Sequence, residues 1–190
     1  MTPPRRKLIS IIAIVLLAAV GGWTYFHSLV PAVHQDHDHG LENLAGGGFL
    51  RVERLEGGTR NLVGRPGRVL ILHWFEMGSP TSGSEVPALV DFSRQMANDK
   101  DIEVVMVAIG KSREQVLAWA NTYSVPTANL YADPESKTAA LIGVRRLPET
   151  LFYDPEGQLA HQARGPMKWA DPELRAAIEE FKHGAGEHDH

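Results

Sequence analysis

The run Val69–Phe75 constrains the fold of this chain most, because it is apolar at every position except His73. A continuous apolar run of this length is typical of a strand that is covered on both faces, as in a parallel sheet between helices. Ile102–Ile109 has a similar composition and predicts a second buried strand. Between the two, apolar residues at helical spacing predict a helix over residues 85–97. The sequence therefore predicts an α/β fold, a central sheet flanked by helices.

The rest of the chain continues this alternation of strands and helices. The predicted elements are a hairpin over residues 49–63, a helix from Ser112 to about 123, a short strand over 129–132, a helix over about 133–142, a hairpin over 151–164 and a helix over about 171–181. The start of the second helix is marked by a capping box between Ser112 and Gln115. The closing hairpin adds antiparallel strands, so the sheet is predicted to be mixed.

The N-terminus has the pattern of a membrane anchor. Arg5, Arg6 and Lys7 precede an apolar run over residues 8–26, about the ~20 residues needed to cross a bilayer. Basic residues before the run place the N-terminus in the cytoplasm and the remainder beyond the membrane. We expect one transmembrane helix in the cytoplasmic (inner) membrane, with the soluble part in the periplasm. A cleaved signal peptide is the alternative.

The composition along the chain divides it into five predicted segments. These are a cytoplasmic basic N-terminus at 1–7, the transmembrane anchor at 8–26, a His- and Gly-containing linker at 27–47, a globular domain at 48–182 and a His-rich polar tail at 183–190.

The chain contains no cysteine. This excludes disulfides, thiolate metal sites and cysteine nucleophiles. The formal net charge of −4 is small and gives no electrostatic footprint for nucleic acid. The partners that we expect are the membrane and a protein, either a client or a subunit of a membrane complex.

Residues 73–89 read His-Trp-Phe-Glu-Met-Gly-Ser-Pro-Thr-Ser-Gly-Ser-Glu-Val-Pro-Ala-Leu. This stretch resembles the strand–turn–helix of membrane-anchored thioredoxins, in which Trp-Cys-x-x-Cys is followed by x-x-Glu-x-Pro. Leu147-Pro148 resembles the cis-proline that faces this motif, and residues 151–157 resemble the strand and turn after it. From about residue 49 to 181 the chain is similar to the TlpA/ResA-like thiol-disulfide reductases linked to cytochrome c maturation, which implies a thioredoxin-like fold.

The resemblance also implies roles for individual residues. Ser79 and Ser82 occupy the positions of the nucleophilic and resolving thiols, so no catalytic residue is expected. Glu85 matches the acidic residue after the motif. With no thiol to influence, we expect Ser82 and Glu85 to form a helix capping box. The client-binding residues implied are Trp74, Met77, Leu147 and Pro148.

Histidines are concentrated in the two flanking segments, interleaved with acids. They are His34, His37, His39, His183, His188 and His190. Imidazole and carboxylate groups suit divalent zinc, copper or nickel, so these segments are candidates for weak metal binding, with a solvated linker and tail as the alternative. No other cofactor is expected. His73, on the central strand, is expected to be a core histidine.

Three functions are compatible with this sequence. The first is a membrane-anchored periplasmic thioredoxin-like protein without redox cysteines, acting as a binding protein or complex subunit. The second is a thiol-disulfide oxidoreductase of the cytochrome c maturation type whose Cys-x-x-Cys was changed to Ser-x-x-Ser. The third is a periplasmic metal-binding protein that uses the His-rich segments.

Overall fold

The structure is a computed structural model that describes residues 50–62 and 67–182. The predicted anchor, linker and His-rich tail lie outside the described residues, and their boundaries stay predictions. Within the described ranges, no helix has both the length and the apolar character needed to cross a bilayer.

Seven strands form one sheet in the order β2-β1-β5-β4-β3-β6-β7. Their bounds are β1 Arg51–Arg54, β2 Thr59–Asn61, β3 Val69–Phe75, β4 Ile102–Ile109, β5 Leu130–Asp133, β6 Glu149–Tyr153 and β7 Leu159–Arg164. Strand β3 lies near the centre, parallel to β4 and antiparallel to β6. The predicted mixed sheet is confirmed, and all seven residues of β3 are buried, as its apolar composition predicts.

Four helices accompany the sheet in the described part of the chain. They are α1 Pro80–Met96, α2 Arg113–Tyr123, α3 Lys137–Leu141 and α4 Pro172–Lys182. The capping box of α2 is confirmed, because Ser112 Oγ accepts from the Gln115 N–H and the Gln115 side chain accepts from the Ser112 N–H. The helix predicted over 133–142 is shorter than expected. Asp133 ends β5 instead, and its carboxylate accepts from the Ala139 N–H at 2.8 Å.

The handedness of the crossovers sets which face each helix covers. Helices α1 and α2 connect the parallel strands β3, β4 and β5 in one direction across the sheet. Right-handed crossovers then put both helices on the same face, and Trp119 of α2 packs on Phe75 with the ring centroids 5.6 Å apart. Ala139 of α3 packs in the cluster that contains Trp74, on the other face. Helices α1 and α2 are therefore neighbours above the carboxyl end of β3.

Candidate functional site

The two serines that the resemblance aligns with thiol positions lie at the start of α1. Ser79 is the N-cap residue, half-buried, and its carbonyl accepts from the Gly83 N–H at 2.8 Å. Ser82 is the third helical residue and is 1 % exposed. Its Oγ accepts from the Glu76 N–H at 3.4 Å, so the hydroxyl ties the end of the preceding turn to the helix.

The predicted capping box of Ser82 and Glu85 is wrong. Helix α1 begins at Pro80, five residues earlier than the predicted start at 85. Proline is tolerated at the first helical position, where its missing N–H has no intrahelical partner in any case. Ser82 and Glu85 are thus inside the helix, and both side chains point into the protein.

Glu85 is a buried carboxylate at the junction of three segments. It is 4 % exposed, and its Oε2 accepts from the Met167 N–H at 2.8 Å and from the Trp169 Nε1–H at 3.0 Å. Its Oε1 lies 3.3 Å from Nε2 of His73. The carboxylate therefore joins α1 to the segment before α4 and to the central strand β3.

His73 connects Glu85 to a hydroxyl on the neighbouring strand. Its Nδ1 lies 2.9 Å from Thr150 Oγ1, and its ring packs edge-on against Trp169 at 5.4 Å. The order hydroxyl, imidazole, carboxylate is that of a nucleophile–base–acid relay. Both His73 and Thr150 are 0 % exposed, so a substrate has no access to the hydroxyl. We interpret the three side chains Thr150, His73 and Glu85 as a structural network, and His73 as the core histidine predicted from the sequence.

His73 is not free to act as a general base for the serine hydroxyls, because it is 0 % exposed and contacts Thr150 and Glu85. An unassisted serine hydroxyl is a weak nucleophile. With no cysteine in the chain, the start of α1 carries no thiol.

The loop opposite the motif contains a cis peptide bond between Leu147 and Pro148, as the resemblance implied. Pro148 is buried, and its carbonyl accepts from the Gly165 N–H at 2.7 Å. Leu147 is half-buried. Its backbone N–H and C=O have no hydrogen-bond partner among residues 50–62 and 67–182.

The Glu149 side chain stabilises this loop through hydrogen bonds. This residue was not identified from the sequence. It is 0 % exposed. Its Oε2 accepts from the N–H groups of Arg145 and Arg146 at 3.1 and 3.4 Å, and its Oε1 accepts from Gln162 and from Arg164 Nε. The pattern Pro148-Glu149 carries no signal for the contacts of Glu149 with Gln162 and Arg164, because these residues lie on strand β7.

The other residues implied for client binding lie in different environments. Trp74 is 0 % exposed, so its side chain is not available at the surface, and we remove it from the client-binding set. Met77 is half-buried and lines a cavity between α1 and α2. Client binding by Met77, Leu147 and Pro148 stays a prediction.

The six histidines proposed as metal ligands lie outside the described residues. In the described ranges, no group of three or more His, Cys, Asp or Glu side chains is arranged to hold a metal ion. The metal hypothesis for residues 34–39 and 183–190 therefore stays a prediction.

Comparison with known proteins places this fold in a family. Residues 50–162 match the AhpC/TSA family, and the chain belongs to it. No curated protein matches the chain.

Solved structures resemble the chain over most of its globular part. Mycobacterium tuberculosis DsbF is 23 % identical, with a TM-score of 0.59 over 69 % of this chain and 93 % of that one. A Chlorobium tepidum protein described as thiol:disulfide interchange protein DsbE is 19 % identical, with a TM-score of 0.59 over 70 % and 92 %. The exposed lipoprotein thioredoxin Etrx1 of Streptococcus pneumoniae is 20 % identical, with a TM-score of 0.56 over 68 % and 97 %. At these identities the likeness shows a thioredoxin-like fold.

Proposed function

We propose that this chain is a redox-inactive binding protein with a thioredoxin-like fold, anchored in the inner membrane, whose periplasmic domain docks an extended segment of a partner protein. The absence of thiols supports the first part, because disulfide exchange requires a thiolate that attacks and a second thiol that resolves. The basic cluster and the apolar run over residues 8–26 support the second.

The observation that carries the docking proposal is the free backbone of Leu147. Its N–H and C=O have no hydrogen-bond partner among the described residues, and Leu147 is only half-buried, so both groups are open to an external partner. An extended peptide that pairs with a free edge gains main-chain hydrogen bonds in this way. The Glu149 carboxylate accepts from the backbone N–H groups of Arg145 and Arg146, so the backbone leading to Leu147 is preorganised.

A photo-crosslinking experiment tests this docking site. We would place a photoreactive amino acid at Arg146, which is exposed and adjoins Leu147, and as a matched control at Arg175, an exposed residue on α4. After irradiation of intact cells, we expect a discrete cross-linked protein from position 146 and none from position 175. The same cross-link from both positions, or none from position 146, would contradict docking at Leu147.

Reporter fusions test the membrane topology. A reporter that is active only in the periplasm, fused after His190, is expected to be active, and a cytoplasmic reporter at the same place is expected to be silent. The reverse pattern would contradict the proposed orientation. Release of the fusion into the periplasm as a soluble product would indicate a cleaved signal peptide.

The oxidoreductase alternative is supported by the solved structures, since the similar Chlorobium tepidum protein is described as thiol:disulfide interchange protein DsbE. In that alternative, Ser79 and Ser82 replace two native cysteines. The codons for positions 79 and 82 in the source gene decide between the two, because cysteine codons would support the alternative and serine codons would contradict it.

A further inference from the structure

A cavity of ≈ 540 Å³ lies between α1 and α2 at the carboxyl end of β3. Its volume is in the range of roughly 300–1,000 Å³ that is typical of small-molecule sites. Neither Leu147 nor Pro148 lines it, so it is separate from the proposed docking edge. The cavity borders Ser79 and Met77 and opens beside the serine motif.

One wall is a row of three aromatic rings. Phe75, at the end of β3, packs on Trp119 with centroids 5.6 Å apart, and Trp119 packs on Tyr123 at 5.7 Å. The row passes from the buried interior to the surface, since Phe75 is 2 % and Tyr123 is 67 % exposed. A ligand against this wall would contact apolar and aromatic surface along its length.

The opposite wall is the face of α1. It consists of Val86, Pro87 and Val90, with Gly83 one turn before Pro87. Because proline has no N–H, the Gly83 carbonyl lacks the usual helical donor four residues later. A Cβ added at Gly83 would have no heavy atom within 4 Å, so space is open directly above this residue.

The rim of the cavity carries one uncompensated negative charge. Asp91 and Arg94 form an exposed ion pair with the charged atoms 3.0 Å apart, and their charges offset each other. Glu76, also on the rim, makes no ion pair with any residue in the described part of the chain. The Glu76 N–H donates to Ser82 Oγ, and this hydrogen bond holds the Glu76 backbone at the rim.

We propose that this cavity binds a small organic cation with an apolar body. The apolar part would lie between the aromatic row and the α1 face, and the positive group would lie at the rim near Glu76. The aromatic row and the α1 face favour an apolar body, and the Glu76 carboxylate favours a positive group at the rim. An anion of the same shape would be repelled by Glu76, and a neutral molecule would lose the charge contribution.

Three probes of similar shape test the charge preference on the full-length chain. They are the phenethylammonium ion, neutral 2-phenylethanol and the anion 3-phenylpropionate, each titrated by calorimetry and by tryptophan fluorescence. The expected order of affinity is cation, then neutral, then anion, with the cation bound about threefold more tightly than the neutral probe, as for one exposed charge pair. Equal binding of the three probes, or no saturable binding of the cation, would overturn the proposal.

Two variants locate the binding site. Glu76→Gln is expected to reduce the affinity for the cation to that for the neutral probe, while Glu135→Gln, an exposed acid that does not line the cavity, leaves the affinity unchanged. Gly83→Leu is expected to abolish binding by filling the cavity, and it should fold normally, since leucine is the better helix former and nothing obstructs its Cβ.

A second control is Leu117→Ala, which changes an exposed apolar side chain on α2 that does not line the cavity. It is expected to bind the cation as the unaltered chain does. Undiminished cation binding by a folded Gly83→Leu variant, or an unchanged charge preference in Glu76→Gln, would show that the cation binds elsewhere and would overturn the assignment.

Discussion

At the scale of single residues, buried polar groups, among them Glu85, lie beside the serine motif. Glu85 lies on the buried face of α1. Its carboxylate accepts hydrogen bonds from the Met167 N–H and the Trp169 Nε1–H. A buried carboxylate is costly unless it is paired or hydrogen-bonded. Its partners here show that it has a structural function that does not depend on thiols.

Two substitutions of Glu85 separate its role as a hydrogen-bond acceptor from the effect of its negative charge. Glu85→Ala removes the acceptor of the Met167 N–H and of the Trp169 indole N–H, and each unsatisfied buried donor costs about 1–3 kcal/mol. We expect the free energy of unfolding to fall by about 3 kcal/mol in urea denaturation. Glu85→Gln keeps one acceptor oxygen and should cost about 1 kcal/mol.

The control for this series is Glu156→Ala, an exposed glutamate in the turn before β7, for which we expect a change near zero. Equal losses for Glu85→Ala and Glu156→Ala would mean that the buried hydrogen bonds do not stabilise the fold.

Sequence reasoning located Glu85 but not its role. The spacing of Ser82 and Glu85 fits a capping box, which is a local motif. The actual partners of the carboxylate are 82 and 84 residues away along the chain, and no local pattern encodes contacts at that separation. The same holds for Glu149, whose side-chain partners on β7 are set by the pairing of β6 with β7.

At the scale of elements, periodicity predicted the buried strands best. The bounds of β3 and β4 coincide with the largely apolar runs at 69–75 and 102–109, because a strand covered on both faces is apolar at nearly every position. The start of α1 was predicted too late. Residues 80–84 carry no large apolar side chain, so the helical period becomes visible only from Glu85 onward.

The stability contributed by one ion pair between elements is predicted to depend on pH. Lys182, at the end of α4, lies 2.5 Å from Asp99 Oδ2, in the loop after α1. The hydrogen bond from Lys182, with a second from the Asp101 N–H, lowers the pKa of Asp99 from its ordinary value of 3.8. A carboxyl whose pKa is lowered by folding stabilises the protein above its unfolded-state pKa, and this contribution is lost as the pH falls through the lowered pKa.

Asp99→Asn removes this charge and keeps an acceptor for the Asp101 N–H. At pH 7 we expect the variant to be less stable by about 0.5 kcal/mol, which is typical of an ion pair near the protein surface. The difference should shrink below pH 4 and vanish once Asp99 is protonated. Urea denaturation of both proteins at a series of pH values checks this, and a difference that grows on acidification would show that the sign is wrong.

At the scale of the whole molecule, the sheet brings together parts of the chain that the resemblance had paired. Strand β3 leads into the serine motif, and β6, its antiparallel neighbour, begins directly after Pro148. Because Trp74 pairs with Glu149 in register, the motif and the proline loop emerge at the same end of the sheet. The backbone arrangement of motif and proline that the resemblance implied is therefore present.

Restoring the thiols tests how complete this arrangement is. Ser79 is the half-buried N-cap and Ser82 the buried third residue of α1, so the two side chains lie one turn apart at the helix start. We expect the double variant Ser79→Cys/Ser82→Cys to form a disulfide and to catalyse insulin reduction by dithiothreitol. The thiol introduced at position 79 should have a pKa below the usual value of about 8.5, because a helix N-terminus favours the thiolate.

The unaltered chain and the two single variants serve as controls. None of them can form an intramolecular disulfide, so none should turn over insulin above the uncatalysed rate. Turnover by the unaltered chain would refute the redox-inactive proposal, since no thiolate is available to it. A double variant that is folded but keeps two free thiols under oxidising conditions would show that Ser79 and Ser82 are held too far apart for a disulfide. The serine motif would then be a structural adaptation of the turn, and the likeness to a dithiol site would extend only to the backbone.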